Sequence, residues 1–236
     1  MSFNNKILVI TPTYNEIENI ENFLNTALSF NLSVLVIDDN SPDQTADVVK
    51  KFKENFKNIY LISRKEKLGL GSAYRDGFDW FIKSEFTHCV EMDTDFSHRF
   101  SDLVKILDKI NKFDVVIGSR YVLGGGSEGW DLKRKILSKY ANKISKLMLK
   151  SNINDMTSGF RSFSRYAIEN INYHSTISNG YGFQIEMAHN VKLNNLSVLE
   201  VPIIFEERRL GKSKMNIGIS FEAFLLIIKL RRKLSK

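Results

Sequence analysis

Apolar and polar positions along the first half of the chain follow two periods in turn. Short runs rich in Val and Ile, at Lys6–Thr11, Ser33–Asp38, Asn58–Ser63, Phe86–Met92 and Asp114–Ser119, predict buried strands. Between them, Ile17–Ser29, Thr45–Asn55, Gly71–Lys83 and Phe100–Asn111 repeat their apolar residues at helical spacing, with Asp43 and Ser101 placed to cap. Such alternation predicts βαβ units, and so an α/β fold with a mostly parallel, Rossmann-like sheet and helices on both faces. Ligands of such sheets gather at the carboxyl ends of the strands, so chemistry is sought there.

After Ser119 the pattern changes. Gly124-Gly125-Gly126 leads into a helix predicted over Lys133–Leu149, then a turn at Asp155–Gly159, a helix near Phe183–Leu193, a strand at Ser197–Phe205 and a final helix from Ile217. No linker, repeat or low-complexity tract interrupts this, so the parse is one domain over 1–215 with an amphipathic basic helix over 216–236 as its C-terminal elaboration.

Composition narrows the classes. The 236 residues are 43% hydrophobic and 26% charged, which excludes a disordered or collagen-like chain. The one cysteine, Cys89, cannot form an internal disulfide and favours a cytosolic setting. The polar start of the chain predicts no signal peptide, and no run approaches the roughly 20 apolar residues of a membrane span. The net charge is +7, and nine basic against three acidic residues fall between Phe205 and Lys236. A basic tail behind an apolar helix suits nucleic acid, an acidic membrane surface, a phosphate-bearing substrate or simply a solvated helix end.

Polar residues cluster at four predicted strand ends: Thr11 to Glu16, Asp38 to Asp43, Glu91 to Asp95 and Gly118 to Tyr121. Carboxylates behind apolar strands are costly unless hydrated, paired or metal-bound. Asp93-Thr94-Asp95 offers two carboxylates to one hard cation such as Mg2+ or Mn2+, or else forms a helix-capping turn. Two motifs fail. Gly69-Leu70-Gly71 has Tyr74 where a dinucleotide fingerprint needs its last glycine, and Gly211-Lys212-Ser213 has Glu206 where a P-loop needs its first. The four histidines lack metal-ligand spacing; His98, the one near the Asp pair, reads as a surface or capping residue, and Cys89 as a packed strand residue.

Taken in order, the strings Pro12 to Glu16, Asp38 to Thr45, Gly69 to Tyr74, Met92 to His98, Gly118 to Tyr121, Arg134-Lys135, Asp155 to Arg161, Gly182 to Glu186 and Arg208 to Met215 resemble the GT-A glycosyltransferases of family 2, specifically dolichol-phosphate mannose synthases and related polyprenyl-phosphate glycosyltransferases. The resemblance implies that Pro12, Tyr14, Glu16 and Asp39 hold the base and ribose of a nucleotide-sugar donor, with Asp93, Thr94 and Asp95 at its diphosphate. Asp93 and Asp95 are then the ligands of a divalent metal, Mg2+ or Mn2+. Arg208 and Lys214 reach the diphosphate, and Arg120, Arg134 and Ser138 form an acceptor-phosphate site; the catalytic set is Asp93, Asp95 and Arg120. Ser97 departs from the family, which often has Gln there.

The implied reaction is inverting transfer of a sugar, mannose from GDP-mannose by the nearest resemblance, to polyprenyl monophosphate. A phosphate monoester with a second pKa near 6 is already ionised at neutral pH and needs cations to place it, not a base to activate it. The rival is a UDP-sugar donor with a polysaccharide or glycan hydroxyl as acceptor. The expected partners are the donor, the lipid, and a membrane surface or membrane-anchored subunit, with no nucleic acid. The expected location is the cytoplasmic face of a membrane, reached peripherally through Ile217, Ile219, Phe221, Phe224, Leu225 and Ile228 and the basic residues behind them.

Overall fold

A computed structural model of the protein describes residues 6–180, 182–207 and 225–231. The strands β1 (Ile7–Thr13), β2 (Ser33–Asp38), β3 (Ile59–Ser63), β4 (His88–Glu91) and β5 (Val115–Ser119) alternate with the helices α1 (Ile17–Ser29), α2 (Thr45–Asn55), α3 (Leu70–Ile82) and α4 (Phe100–Leu107). There follow β6 (Gly126–Glu128), α5 (Leu132–Met148), β7 (Arg161–Ser164), α6 (Arg165–Asn170), α7 (Gly182–Leu193), β8 (Val198–Pro202) and β9 (Ile204–Glu206).

The main sheet has seven strands in the order β3-β2-β1-β4-β7-β5-β8. Strand β7 runs antiparallel between β4 and β5, facing Glu91 with Arg161; the other pairings are parallel. Alternation along each strand divides the apolar residues between two cores. Leu8, Ile10, Leu35 and Ile37 pack with Tyr74, Phe78 and Phe81 of α3 and with Phe183 and Met187 of α7. Val9, Val34 and Val36 pack on the other face with Phe23 of α1, Val49 of α2 and Leu103 of α4. The result is a three-layer α/β/α fold whose strand ends β1, β2, β4 and β5 open on one edge.

The differences from the sequence reading are local. The expected strand Ser197–Phe205 breaks at Ile203, where its second part leaves the main sheet to pair with β6. Strands β6 and β7 and helix α6 were not foreseen; β7 reads Arg-Ser-Phe-Ser, too polar for a core strand. Ser101 lies inside α4, whose N-cap is Arg99. Gln44 occupies the N-cap of α2, and Asp43, one residue earlier, accepts hydrogen bonds from the N–H groups of Thr45 and Ile17 and so ties the starts of α1 and α2 together. The final helix is described only over 225–231, where Leu226, Ile227 and Leu230 pack into the α3/α7 core while Leu225 is exposed and Ile228 half-buried; Ile217, Ile219, Phe221 and Phe224 lie outside the described residues.

Helix α5 is the least covered element. Its inward face is polar, with Ser138, Asn142 and Ser145, and Asp131 caps it by accepting from the Arg134 N–H at 2.7 Å. Outward it exposes Leu132, Ile136, Leu137, Tyr140, Ile144 and Leu147, the last 76% accessible. Spacings of three to five residues place these on one side of the helix.

Tight packing of α3 on the 176–180 loop makes one test. A Cβ on Gly71 would stand 2.4 Å from the Ser178 carbonyl oxygen, whereas one on Gly180 would meet nothing within 4 Å. The helix-propensity gain of alanine is at most about 1 kcal/mol. Gly71→Ala is therefore expected to lose a net 1–3 kcal/mol or so in denaturant unfolding, and Gly180→Ala to stay within about 0.5 kcal/mol of the parent.

Candidate active site

The end of β1 meets the end of β2 through shared hydrogen bonds. Asp38, almost wholly buried, accepts from Thr13 Oγ1 at 3.0 Å, Ser41 Oγ at 2.6 Å and the Ser41 N–H at 2.9 Å. Glu16 Oε2 accepts from Asn19 Nδ2 at 3.0 Å, and its N–H donates to Thr45 Oγ1. Asp39 is also buried. One of its oxygens accepts from Arg64 Nη1 and the Leu68 N–H, both at 2.9 Å, and the other from the Gly69 N–H at 2.8 Å. Gly69 sits at φ 92°, a conformation that suits glycine, and a Cβ there would stand 2.6 Å from the Asn179 carbonyl oxygen. So the Gly69-Leu70-Gly71 string, no dinucleotide fingerprint, serves a loop that Asp39 fastens. The same loop lays Lys67 Nζ 3.6 Å over the ring of Tyr14, beside half-buried Pro12.

The end of β4 carries the acid pair. Thr94 and Asp95 are buried and Asp93 is half-buried. Ser97 is fully buried and gives Asp95 Oδ1 both its N–H, at 3.0 Å, and its hydroxyl, at 2.6 Å. The residue that replaces the family's Gln thus orients the Asp95 carboxylate. The Asp93 N–H donates to His98 Nδ1 at 3.2 Å. His98 is buried, not on the surface, and it caps the Asp93 loop rather than a helix, since the N-cap of α4 is Arg99. Its ring stacks on Phe160 at 4.7 Å and meets Phe205 edge-on at 5.4 Å. Burial pushes its pKa down to about 4, only partly opposed by Asp95.

Arg120, at the end of β5, donates through Nε (2.8 Å) and Nη2 (2.6 Å) to the two oxygens of Asp155, and through Nη2 to Thr157 Oγ1 at 2.8 Å. Burial alone would raise the Asp155 carboxyl, but the Arg120 guanidinium outweighs it and holds the pKa below the usual value. Beyond Arg120 lies an aromatic wall. Trp130 has Arg120 at 5.6 Å and Arg134 at 4.1 Å from its ring, and Phe205 has Arg120 at 5.6 Å. Arg134 Nη1 also donates to Glu207 at 3.1 Å, and Tyr121 donates to Ser138 Oγ at 2.6 Å. His98 joins the halves, since it feels Asp95 on one side and Arg120 and Asp155 on the other. Arg208 and Lys214 lie outside the described residues.

Asp155, Thr157, Asn142, Trp130 and Lys67 were not singled out from the sequence. Asp155 and Thr157 both stood within the Asp155 to Arg161 string, but nothing in that string announces a buried ion pair. Among the described residues no third His, Cys, Asp or Glu joins Asp93 and Asp95 to make a metal cluster. Two hard oxygen donors at a half-buried rim still fit Mg2+ or Mn2+, which commonly complete their shells with water and a ligand diphosphate.

Comparison with known proteins agrees with this geometry. Residues 8–171 match the model of the family described as Glycosyl transferase family 2. The chain is 40% identical over 215 residues to the polyprenol monophosphomannose synthase of Mycolicibacterium smegmatis, covering 89% of this chain and 81% of that one. It is 38% identical over 220 residues to the undecaprenyl-phosphate mannosyltransferase of Micrococcus luteus, covering 92% and 90%. Its fold is similar to that of a mannosyltransferase from Pyrobaculum calidifontis in complex with GDP-Man and Mn2+, with TM-score 0.55 at 16% identity over 90% of this chain and 59% of that one. It is likewise similar to GalNAc-T7 with UDP, GalNAc and Mn2+, with TM-score 0.58 at 12% identity over 97% and 48%.

The buried imidazole makes a test in metal-free buffer. The unfolded chain protonates His98 near pH 6.5 and the folded one only near 4, so its contribution is complete above 6.5 and is lost as pH falls towards 4. Between pH 7 and 5, chemical denaturation of His98→Gln is expected to lose on the order of 2 kcal/mol less stability than the parent. The matched span, the two relatives and the acid pair at the end of β4 lead to one conclusion: the chain belongs to glycosyl transferase family 2.

Proposed function

We propose that the protein transfers mannose, with inversion, from GDP-mannose to a polyprenyl monophosphate. The observation that carries this reading is the convergence around His98 of the Asp93–Asp95 loop and the Arg120–Arg134 pair, a donor-type acid pair beside a cationic, aromatic-walled recess. The names of the two relatives, a polyprenol monophosphomannose synthase and an undecaprenyl-phosphate mannosyltransferase, support the same lipid and sugar.

In this proposal Pro12, Tyr14, Glu16 and Asp39, with the loop that Asp39 fastens, take the nucleoside. Asp93 and Asp95, with Thr94 between them, hold a divalent metal against the diphosphate, where the ion neutralises charge on the leaving group. Ser97 keeps Asp95 oriented, and Arg208 and Lys214 add positive charge at the same diphosphate. Arg134, Ser138 and Arg120 position the lipid phosphate. Its oxygen is already ionised, so it attacks the anomeric carbon as the bond to GDP breaks, and no general base is required. Arg120 is tied to Asp155 through Nε and Nη2, which fixes the plane of its guanidinium before any ligand arrives.

The lipid also explains the uncovered face of α5. No described helix is long and apolar enough to cross a membrane. The outward row from Leu132 to Leu147 is flanked by exposed Lys133, Lys135, Lys139 and Lys143, a composition suited to an anionic bilayer surface. We place the protein peripherally, on the cytoplasmic face.

Two measurements test these assignments. With labelled GDP-mannose and a polyprenyl phosphate, Asp95→Asn or an excess of chelator is expected to lower the turnover about 100-fold or more. Full activity under chelation refutes the metal, and transfer to an oligosaccharide hydroxyl instead of the lipid refutes the acceptor. Replacing Leu137 and Leu147 together by Asp is expected to abolish sedimentation with anionic vesicles while leaving GDP binding intact; unchanged sedimentation refutes the docking face.

A further inference from the structure

Next to Asp93 the core contains buried polar atoms that make no hydrogen bond of normal geometry with any described residue. Glu91, the last residue of β4 and two positions before Asp93, is fully buried, and neither of its carboxylate oxygens makes a hydrogen bond of normal geometry with a described residue. The same holds for the Tyr74 hydroxyl on α3, for Arg161 Nε on β7, and for both ends of the Gln184 side-chain amide on α7, which is 2% exposed. The remainder of the Arg161 guanidinium is engaged: Nη1 donates to the Gln184 carbonyl at 2.8 Å and Nη2 to the Met156 carbonyl at 2.9 Å. These groups share one place: the Glu91 carboxylate is coupled to the charges of Arg161 and Asp93 and lies within weak hydrogen-bonding reach of the Gln184 amide, and Tyr74 feels Asp93, Glu91 and Arg161.

Native proteins rarely leave one buried polar atom unpaired, so six atoms gathered at one point call for a partner that no described residue supplies in normal hydrogen-bond geometry. The wall above them is thin at Gly159, which is half-buried. Gly159 carries no side chain, and a Cβ there would find only His98 Cε1 and the Gln184 amide nitrogen, each at 3.9 Å. His98 in turn holds the Asp93 backbone. The orphaned groups therefore lie next to the point where a donor's diphosphate would meet the acid pair. They mix donors with acceptors, which suits neither a bare anion nor an apolar chain but does suit a ring of hydroxyls.

We propose that Gln184, backed by Glu91, Tyr74 and Arg161, is the specificity-determining residue that reads the hydroxyl groups of the donor's sugar ring past the bare backbone of Gly159. The inference rests on the nucleotide-sugar reading above and adds where the sugar is recognised. A site built to bond a hydroxyl discriminates strongly against the analogue that lacks it, because its own polar groups are then left unpaired.

The test compares nucleotide with nucleotide sugar on the same sample, so that a partly unfolded variant cancels from the ratio. Binding of GDP, GDP-mannose and its monodeoxy-mannose analogues is measured by calorimetry with Mg2+ present, for the parent, Gln184→Leu and Gly159→Leu. The parent is expected to bind at least one deoxy analogue about tenfold more weakly than GDP-mannose. Both variants are expected to lose about tenfold for GDP-mannose with GDP within twofold, and Gln184→Leu to erase the deoxy penalty. If GDP weakens as much as GDP-mannose, or every deoxy penalty survives in Gln184→Leu, the cluster holds only water and the inference fails. A parent that binds UDP-glucose and not GDP-mannose overturns the donor assignment instead. The inference is then decided by the same comparison of UDP with UDP-glucose and its deoxy analogues.

Discussion

The Asp155 carboxylate has no exposed surface, and a charge in that position must be paired or be expelled. Arg120 pairs it in a two-pronged contact, Thr157 joins through the Arg120 Nη2, and Asn142 of α5 bonds Thr157 at 3.1 Å. Behind this, Glu200 of β8 accepts from the Asp155 N–H at 2.9 Å and from the Asn154 N–H at 2.8 Å. Strand β5, helix α5, the 154–157 turn and strand β8 thus meet at one ion pair. Removing either member of such a pair typically costs 3–5 kcal/mol or so, since the survivor stays buried and uncompensated. Its role in the site follows: Arg120 cannot swing away from the recess to seek solvent.

Asp39 works the same way on the opposite side. It gathers Arg64 and the Leu68 and Gly69 N–H groups, and Arg64 continues to Asp76 and Ser72 on α3. Each half of the edge is therefore built around one carboxylate that fastens a loop by taking its hydrogen-bond donors. Asp93 differs in remaining half-buried, with its own backbone held by a neutral imidazole.

Most of the scaffold was legible because parallel strands buried on both faces read as continuous apolar runs. The predicted bounds of α1, α2 and β2 match the observed ones to the residue. What escaped was the strand whose logic is polar. Arg161 has no exposed surface, and it is acceptable in a core because Met156 and Gln184 of other elements supply carbonyl partners and the Glu91 and Asp155 carboxylates offset its charge. Similarly His98 read as a surface residue because its neighbours in sequence are polar, whereas its ring is covered by Phe160 and Phe205, the latter more than a hundred positions away. Motif order located the acid pair and the two arginines. It did not indicate that Asp155 would fix Arg120, since that pairing depends on β7 inserting next to β5.

Helix α5 turns one face to solvent and the other to the recess, so its own thickness is a fixed spacer. An α-helix with side chains is about 10 Å across. With the outward leucines immersed at the apolar boundary of a bilayer, Ser138 and Arg134 stand roughly one helix diameter above it, near the depth of lipid headgroups. A phosphate carried on a long isoprenoid can then reach the arginines with its chain still dissolved in the leaflet. On the proposed docking, reaction distance would be set by the girth of one helix, and the lipid would never have to be pulled from its solvent.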